Sequence, residues 1–298
     1  MAITPGAEHD LPEYLGKPRT YIIASNPRTG SNLLCGLLGG TGLAGAPLEY
    51  FNPGHMRSLL ERLDSPTPVE RLRRWRRRNA KAWTWLGIGG WGEREIRHYL
   101  RLVHRKRPTP NGVFGIKAHH RQVERVFLEN GFAPEDFLET PPYLHLTRRD
   151  QLAQAISWLK ARQTWSWQQA GDASQTHFDF DLLRKRLERI RRQEDGWKRY
   201  FAEREIEPLR LVYEDMVKDL DGSIRRVLAW IGVDAPPDLA VPAPTTRKLA
   251  DDWYVFGNTN VKPVTAAMTK TNPPMIVHRR LRRKSRIPLG SNTWSWYG

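Results

Sequence analysis

The chain has 298 residues, 39% of them hydrophobic, which is enough to bury the core of one large domain or of two small ones. Its 48 lysine and arginine residues outnumber its 32 aspartate and glutamate residues, so the formal net charge is +16 and a negatively charged ligand or partner is expected. A single cysteine excludes a disulfide framework and any zinc or iron–sulfur site built from several cysteines.

The N-terminal segment lacks the basic and apolar regions of a signal peptide. It reads MAITPGAEHDLPEYLG, and no apolar run in the chain approaches the ~18 residues that span a bilayer. We therefore expect a cytoplasmic protein.

Strands and helices alternate along the next part of the chain. A segment with apolar residues at helical spacing follows each of four apolar, β-forming runs, which lie at 19–25, 112–117, 143–147 and 208–213. The longest helical segment, between Phe178 and Glu205, is amphipathic. Alternation of this kind is typical of a parallel sheet flanked by helices. We predict an α/β fold, a P-loop-like parallel sheet, with its core over about 19–235.

Two segments depart from this alternation. Residues 55–110 contain a basic run, RLRRWRRRNAK, and three tryptophans among glycines, and they predict a helical insertion. Residues 236–298 form a C-terminal segment that passes through HRRLRRKSR and ends in NTWSWYG. Its cations predict attraction to an anionic membrane surface, with simple solubility as the alternative. We interpret the whole chain, 1–298, as a single domain with an insertion and a tail.

The turn after the first strand carries the strongest chemical signal. It reads NPRTGSNL, and it places a cation, Arg28, a glycine, Gly30, and a hydroxyl residue, Ser31, where a helix begins. Backbone N–H groups and the helix dipole favour an anion at such a point, although an ordinary turn with Ser31 as N-cap is the alternative. The loop is not a Walker A motif, because no lysine stands between the glycine and the hydroxyl residue. This disfavours a nucleoside triphosphate.

The loop resembles that of the sulfotransferases that use 3′-phosphoadenosine 5′-phosphosulfate (PAPS). Their phosphosulfate loop holds a proline, a cation, a small residue, a glycine and a hydroxyl residue, and PRTGS matches it. More closely, the chain is similar to the bacterial trehalose sulfotransferase family, through blocks that occur in the same order over about 20–235. They include SNPRTGSNLL, TGLAGAPLEYF, TPNGVFGIK, QEDGWKRYF and EIEPLRLVYEDM. The resemblance implies the sulfotransferase fold and transfer of a sulfuryl group to a hydroxyl.

The resemblance also implies a donor site. The phosphosulfate loop and a second cation would hold the 5′ side, and an arginine, a serine and a C-terminal basic pair would hold the 3′-phosphate. These residues are Pro27, Arg28, Thr29, Gly30, Ser31, Asn32, Lys117, Arg148, Ser157, Arg247 and Lys248. Arg149 competes with Arg148, because neighbouring residues at a strand end point in different directions.

Two residues compete for the role of the base that takes the acceptor proton. The trehalose sulfotransferase family places a glutamate in the loop after the first helix, and Glu49 in APLEYF matches it. Cytosolic sulfotransferases place a catalytic histidine two residues after a strand-end lysine, and Lys117-Ala118-His119 reproduces that pattern. We favour Glu49 as the base and give His119 a supporting role on the sulfuryl oxygens.

The expected acceptor is a carbohydrate or a glycolipid. Flat aromatic rings suit the apolar faces of sugars, and several tryptophans flank the expected site, although packing is the alternative for most of them: Trp83, Trp85, Trp91, Trp158, Trp165 and Trp167. We expect no required metal and no nucleic-acid partner, while a homodimer stays open. The competing classes are a small-molecule kinase, disfavoured by the missing Walker lysine, and a nucleic-acid-binding protein, disfavoured because no known binding motif is present.

Overall fold

The computed structural model describes residues 6–64, 91–164 and 179–243, which belong to one compact unit. Several predictions fall outside these ranges. They concern Arg247, Lys248, the basic tail, the middle of the predicted insertion (65–90), and Trp83, Trp85, Trp165 and Trp167.

Strands and helices alternate in the described residues. The strands are β1 (Arg19–Ser25), β2 (Val113–His119), β3 (Tyr143–Thr147) and β4 (Leu209–Val212). The helices are α1 (Ser31–Gly40), α2 (Pro53–Leu63), α3 (Glu93–Lys106), α4 (His120–Val126), α5 (Gln151–Gln163), α6 (Phe180–Glu203), α7 (Tyr213–Met216) and α8 (Leu220–Trp230). Short 3₁₀ turns lie at Ala7–His9, Leu128–Asn130 and Pro134–Asp136.

All strand pairs in the sheet are parallel, in the order β2-β1-β3-β4. In the central strand, Ile22 pairs with Ile116 on one side and with Tyr143 on the other. Strands buried on both faces read as nearly continuous apolar runs, which is why β1 was recognisable in the sequence. The predicted α/β fold with a parallel sheet flanked by helices is confirmed. One boundary was wrong: β2 continues beyond Lys117, because His119 still pairs with Ser25.

Helices cover both faces of the sheet. On one face, Ile22 and Ile116 pack with apolar residues of α2, α3, α4 and α6, and on the other Tyr21 and Ile23 pack with α1 and α8. Trp197 of α6 is fully buried and stacks on Phe201, with ring centroids 5.4 Å apart. The described ends of the predicted insertion are thus helices packed into the core, and its character as an insertion stays a prediction.

The carboxyl ends of the strands meet at one edge of the sheet, where open α/β sheets bind ligands. The residues at this edge include the loop after β1, His119 at the end of β2, and Arg148 just after β3. None of the helices in the described ranges is long and apolar enough to cross a bilayer.

Two glycines before α2 provide a test of this packing. Both have positive φ, +70° at Gly42 and +72° at Gly45, but a Cβ at Gly42 would meet nothing within 4 Å, whereas one at Gly45 would lie 2.8 Å from the carbonyl oxygen of Val113. We expect Gly42→Ala to lower the free energy of unfolding by about 1 kcal/mol, from backbone strain alone. Gly45→Ala should lower it by about 2–4 kcal/mol, because β2 must also shift. Chemical denaturation measures both, and equal losses would contradict the close approach.

Candidate active site

The loop after β1 and the first turn of α1, residues 26–33, form a segment that we call the anion cradle. Arg28 has a φ of +67° and Gly30 a φ of +91°. A Cβ at Gly30 would lie 2.3 Å from Cδ2 of Tyr213, so glycine is required there. The first N–H groups of an α-helix have no acceptor within the helix, and they carry its positive dipole. The cradle is therefore suited to an anion.

Side chains behind the cradle hold its carbonyl groups. Gln154 Nε2 donates to the Pro27 carbonyl at 2.8 Å, and Arg148 Nη1 donates to the Arg28 carbonyl at 3.2 Å. The Thr29 hydroxyl donates to the Asn26 carbonyl at 3.0 Å. With these oxygens engaged by the protein, the left-handed conformation of Arg28 is maintained by contacts on both sides.

Two guanidinium groups lie beside the cradle. Arg28 Nε donates to Ser157 Oγ at 2.9 Å, and the Arg148 guanidinium lies 4.7 Å from the centroid of the Tyr213 ring. Burial and the nearby positive charge of Arg148 lower the pKa of Arg28 to about 10, so Arg28 stays charged at neutral pH. Among the described residues, Arg148 Nε is buried without a hydrogen-bond acceptor, and a carboxylate oxygen of Glu214 lies 3.9 Å away. A bound anion would supply the missing acceptor.

The structure distinguishes the two neighbouring arginines. Only 12% of the Arg148 side chain is exposed, and it faces the cradle, whereas Arg149 is 58% exposed and pairs with Asp215. The Nη1 of Arg149 donates to Oδ1 of Asp215 at 3.0 Å. Of the two, Arg148 is the one that contacts the loop after β1.

Glu49 lies at the centre of a second group of polar side chains. Lys117 Nζ is 2.8 Å from Glu49 Oε1 and donates to Asn32 Oδ1 at 2.5 Å, while His119 Nε2 is 3.5 Å from the same oxygen of Glu49. We call Glu49, Lys117 and His119 the Glu49 triad. Because Asn32 belongs to the first turn of α1, Lys117 joins the triad to the anion cradle.

The backbone places Glu49 beside β2. Leu48 forms an isolated parallel bridge with Ile116, and the Lys117 N–H donates to the Leu48 carbonyl at 2.9 Å. Glu49 follows directly, so its side chain reaches Lys117 and His119, which point to the same side of the strand. At the other ring nitrogen, His119 Nδ1 lies 3.2 Å from Ser25 Oγ. The two candidate bases are therefore in contact.

The charge state of Glu49 follows from these neighbours. Burial alone would raise the pKa of its carboxyl group, since only 16% of the side chain is exposed. Lys117 and His119 outweigh burial and hold the pKa of Glu49 well below its ordinary value. Glu49 is consequently ionised at neutral pH, and Lys117, which is 6% exposed, has a buried counter-ion.

Two of the tryptophans predicted to flank the site are buried, and three polar residues that contact the site were not predicted. Trp91 is 8% exposed and Trp158 is 6% exposed, so neither supplies an open ring to an acceptor. Asn52, Gln122 and Gln154, which the sequence analysis did not single out, contact the site residues. The available signal for Asn52 and Gln122 was their position at the start of a helix, which reads as capping. Within the described ranges, no group of three or more His, Cys, Asp or Glu residues could hold a metal ion.

The fold is that of an α/β protein whose parallel sheet is flanked by helices, with the candidate site at the carboxyl ends of its strands. The family model of the Stf0 sulphotransferases matches residues 20–254, and the chain belongs to that family. This match confirms the resemblance drawn from the loop and the sequence blocks, and it indicates a transferase.

Similar proteins include two trehalose 2-sulfotransferases. The one from Mycobacterium tuberculosis is 28% identical over 273 residues, covering 79% of this chain and 92% of the relative. The one from Mycolicibacterium smegmatis is 27% identical over 264 residues, covering 78% and 91%. A solved structure, the sulfotransferase domain of the Synechococcus PCC 7002 olefin synthase, aligns with a TM-score of 0.44 at 17% identity, covering 82% of this chain and 85% of that domain.

The triad predicts a pH-dependent contribution to stability. Glu49→Gln should lower the free energy of unfolding at pH 7 by about 3 kcal/mol, because Lys117 then stays buried beside a neutral amide. Since the pKa of Glu49 is depressed by folding, the carboxylate stabilises the protein above the unfolded pKa of about 4.3, and this contribution is lost as the pH falls towards the folded pKa. Urea denaturation measures the free energy of unfolding of the natural protein and of Glu49→Gln at pH 7 and at about pH 3. The difference between the two proteins should be smaller at the lower pH.

Glu124→Gln is the matched control. The Glu124 carboxylate is 40% exposed and pairs with Arg121, which is 43% exposed. Such a surface pair contributes at most about 1 kcal/mol. A Glu49→Gln loss as small as that of the control, or one that does not change with pH, would contradict the ion pair.

Proposed function

We propose that the protein transfers a sulfuryl group from PAPS to a hydroxyl group of a carbohydrate or glycolipid. The observation that carries the proposal is the position of Lys117, whose ammonium group contacts both Asn32 in the anion cradle and the candidate base Glu49. An anion held in the cradle and a hydroxyl beside Glu49 would then lie on either side of one cation. That is the arrangement that a direct transfer between them requires.

The residues beside the cradle fit the donor. The N–H groups of the cradle and Arg28 would bind the 5′-phosphosulfate, and the missing Cβ at Gly30 lets the Tyr213 ring pack against the loop. Arg148 and Ser157 would bind the 3′-phosphate, because Arg148 Nε has no acceptor in the part of the chain that the structure describes, and because both residues contact Arg28. Arg247 and Lys248, outside the described residues, remain predicted ligands of this phosphate.

The chemistry is an in-line displacement. A bond forms between the acceptor oxygen and sulfur while the bond between sulfur and the bridging phosphate oxygen breaks, and adenosine 3′,5′-bisphosphate leaves. Negative charge develops on the bridging oxygen, where Arg28, Lys117 and the cradle N–H groups stabilise it. No covalent enzyme intermediate is needed, so catalysis consists of positioning and charge stabilisation, as in phosphoryl transfer.

Glu49 is the proposed base for the acceptor proton. In the arrangement that the structure shows, Glu49 is a weak base, because Lys117 and His119 hold its pKa low. If Lys117 turned towards the leaving oxygen, Glu49 would lose its nearest counter-charge and its basicity would rise. His119, 3.5 Å from Glu49 Oε1, would then support the sulfuryl oxygens or share the proton.

The carbohydrate acceptor is supported by the trehalose 2-sulfotransferases to which the chain is similar. Incubation with labelled PAPS and a panel of sugars, glycolipids and small phenols, followed by mass spectrometry, tests it directly. Sulfated sugar or glycolipid is the expected product. Labelling of phenols alone would reject the proposed acceptor class.

Donor recognition gives the first functional prediction. Adenosine 3′,5′-bisphosphate should bind at least about tenfold more tightly than AMP, because charge-assisted hydrogen bonds to the 3′-phosphate contribute roughly 1.5–3 kcal/mol each. Arg148→Ala should remove this preference, whereas Arg149→Ala should keep it, since Arg149 is engaged by Asp215 at the surface. Calorimetry measures the affinities of both nucleotides for the natural protein and for each of the two variants. Equal binding of AMP and the bisphosphate by the natural protein would reject the donor.

The second functional prediction concerns the role of Glu49 as the base. Glu49→Gln should lower kcat by about 10²–10⁴-fold and leave donor affinity nearly unchanged. With Glu49 as base, the acidic limb of kcat/KM, which reports the free enzyme, should lie below the ordinary glutamate pKa of about 4.3, because the triad lowers it, rather than near the histidine value of about 6.5. Near-normal turnover of Glu49→Gln, together with a folded, donor-binding but inactive His119→Ala, would reverse the assignment.

A further inference from the structure

Two amide side chains converge on the Glu49 oxygen that faces away from Lys117. Gln122 Nε2 donates to Glu49 Oε2 at 2.7 Å, and Asn52 Nδ2 donates to the same oxygen at 3.2 Å. Asn52 precedes α2 and Gln122 lies in the first turn of α4, so the two amides come from different helices. Their meeting point is one atom of the proposed base.

Each amide also performs a capping function with its oxygen. Asn52 Oδ1 accepts the Gly54 N–H at 3.0 Å, and Gln122 Oε1 accepts the His119 N–H at 3.0 Å. A cap requires only an acceptor, so aspartate at the first position and glutamate at the second would cap equally well. Because each amide oxygen is engaged, the orientation of each NH₂ group is determined. Capping accounts for the amide oxygens of Asn52 and Gln122. It does not account for the hydrogen bonds that their NH₂ groups donate to Glu49.

The four contacts divide the carboxylate between two kinds of partner. Oε2 accepts from the two neutral amides, whereas Oε1 faces the cationic Lys117 and His119 Nε2. Rotation of the carboxylate would break both amide hydrogen bonds, and an unpaired oxygen of a buried carboxylate is costly. Oε1 is thereby held towards the end of β2.

We propose that Asn52 and Gln122 are positioning residues, which anchor Oε2 of Glu49 so that Oε1 is the oxygen that meets the reacting hydroxyl. The inference rests on the proposed role of Glu49 as base. A neutral amide anchor also has a chemical advantage over a cationic one, since it orients the carboxylate while adding no further formal charge against its basicity.

Two other titratable groups lie near Glu49. His55 Nδ1 lies 3.3 Å from the Glu49 carbonyl oxygen, and burial lowers the pKa of this histidine, so the ring is neutral at pH 7. Burial raises the pKa of the Cys35 thiol to about 12, which keeps it protonated. Because both groups are present in every variant, a shift of the acidic limb between variants reports on the triad and its amide anchors.

Asn52→Asp and Gln122→Glu test the proposal, because each keeps the cap acceptor and removes the amide donor. Each also sets a second carboxyl group against Glu49 Oε2, and two facing carboxyl groups retain a proton to higher pH. We expect kcat to fall by about 10–100-fold, from lost orientation and lost base, with the donor KM within about twofold. The acidic limb of kcat should move up by about one pH unit or more.

Asn52→Ser provides a variant without added charge. Serine caps a helix well but lacks the NH₂ group, so kcat should fall about tenfold while the fold is retained. Gln151→Glu is the control, since it adds the same charge in the first turn of α5, where the Gln151 side chain accepts from Arg191 at 3.4 Å and no contact of it with Glu49 is present among the described residues. If kcat of the folded Asn52 and Gln122 variants, and their acidic limbs, match those of Gln151→Glu, the positioning role is rejected.

Glu49→Gln separates failure of this inference from failure of the proposed function. If Glu49→Gln retains natural turnover, Glu49 is not the base, and the positioning role is overturned with it. If Glu49→Gln is inactive while Asn52→Asp, Asn52→Ser and Gln122→Glu remain fully active, Glu49 stays the base and only the anchoring role is overturned. Loss of turnover in all of them, with the shifted acidic limb, supports both.

Discussion

The buried ion pair between Glu49 and Lys117 is the contact on which the rest of the site depends. Both side chains are largely removed from water, so each would be costly without the other. The Lys117 N–H also binds the Leu48 carbonyl, which fixes the segment carrying Glu49 against β2. Through Asn32, the same ammonium group reaches the first turn of α1. Backbone pairing, charge pairing and the anion cradle thus meet at one lysine.

A pair of this kind restricts what its neighbours can be. Glu49 needs four hydrogen-bonding partners around its two oxygens, and a cation at every one of them would lower its pKa further. The amides of Asn52 and Gln122 satisfy one oxygen without adding charge. They are available because helix capping uses only their oxygens. The residues that cap these two helices therefore also fix the orientation of the Glu49 carboxylate.

The sequence was sufficient for the parts of the site that are local. The loop around Arg28 and Gly30 was recognisable because it lies between an apolar strand and an apolar helix. Lys117 was recognisable because it is the cation that follows the uninterrupted β-forming run GVFGI. The choice between Arg148 and Arg149 was not, since it depends on Asp215, which is distant in sequence and draws Arg149 outwards. Gln122 was missed for a related reason, because its cap is local but its second partner is Glu49. The end of β2 was misjudged because the polar His119 still pairs with Ser25.

The cradle and the Glu49 triad use positive charge in opposite ways. In the triad, Lys117 is neutralised by a carboxylate and contributes to the folded state. Beside the cradle, the charge of Arg148 disfavours that of Arg28, and Arg148 Nε has no acceptor among the described residues. A dianion bound there, as the proposed function requires, would offset this repulsion. A net charge of +16 is not by itself evidence of a site, but two inward-facing guanidiniums at a helix start are a specific use of it.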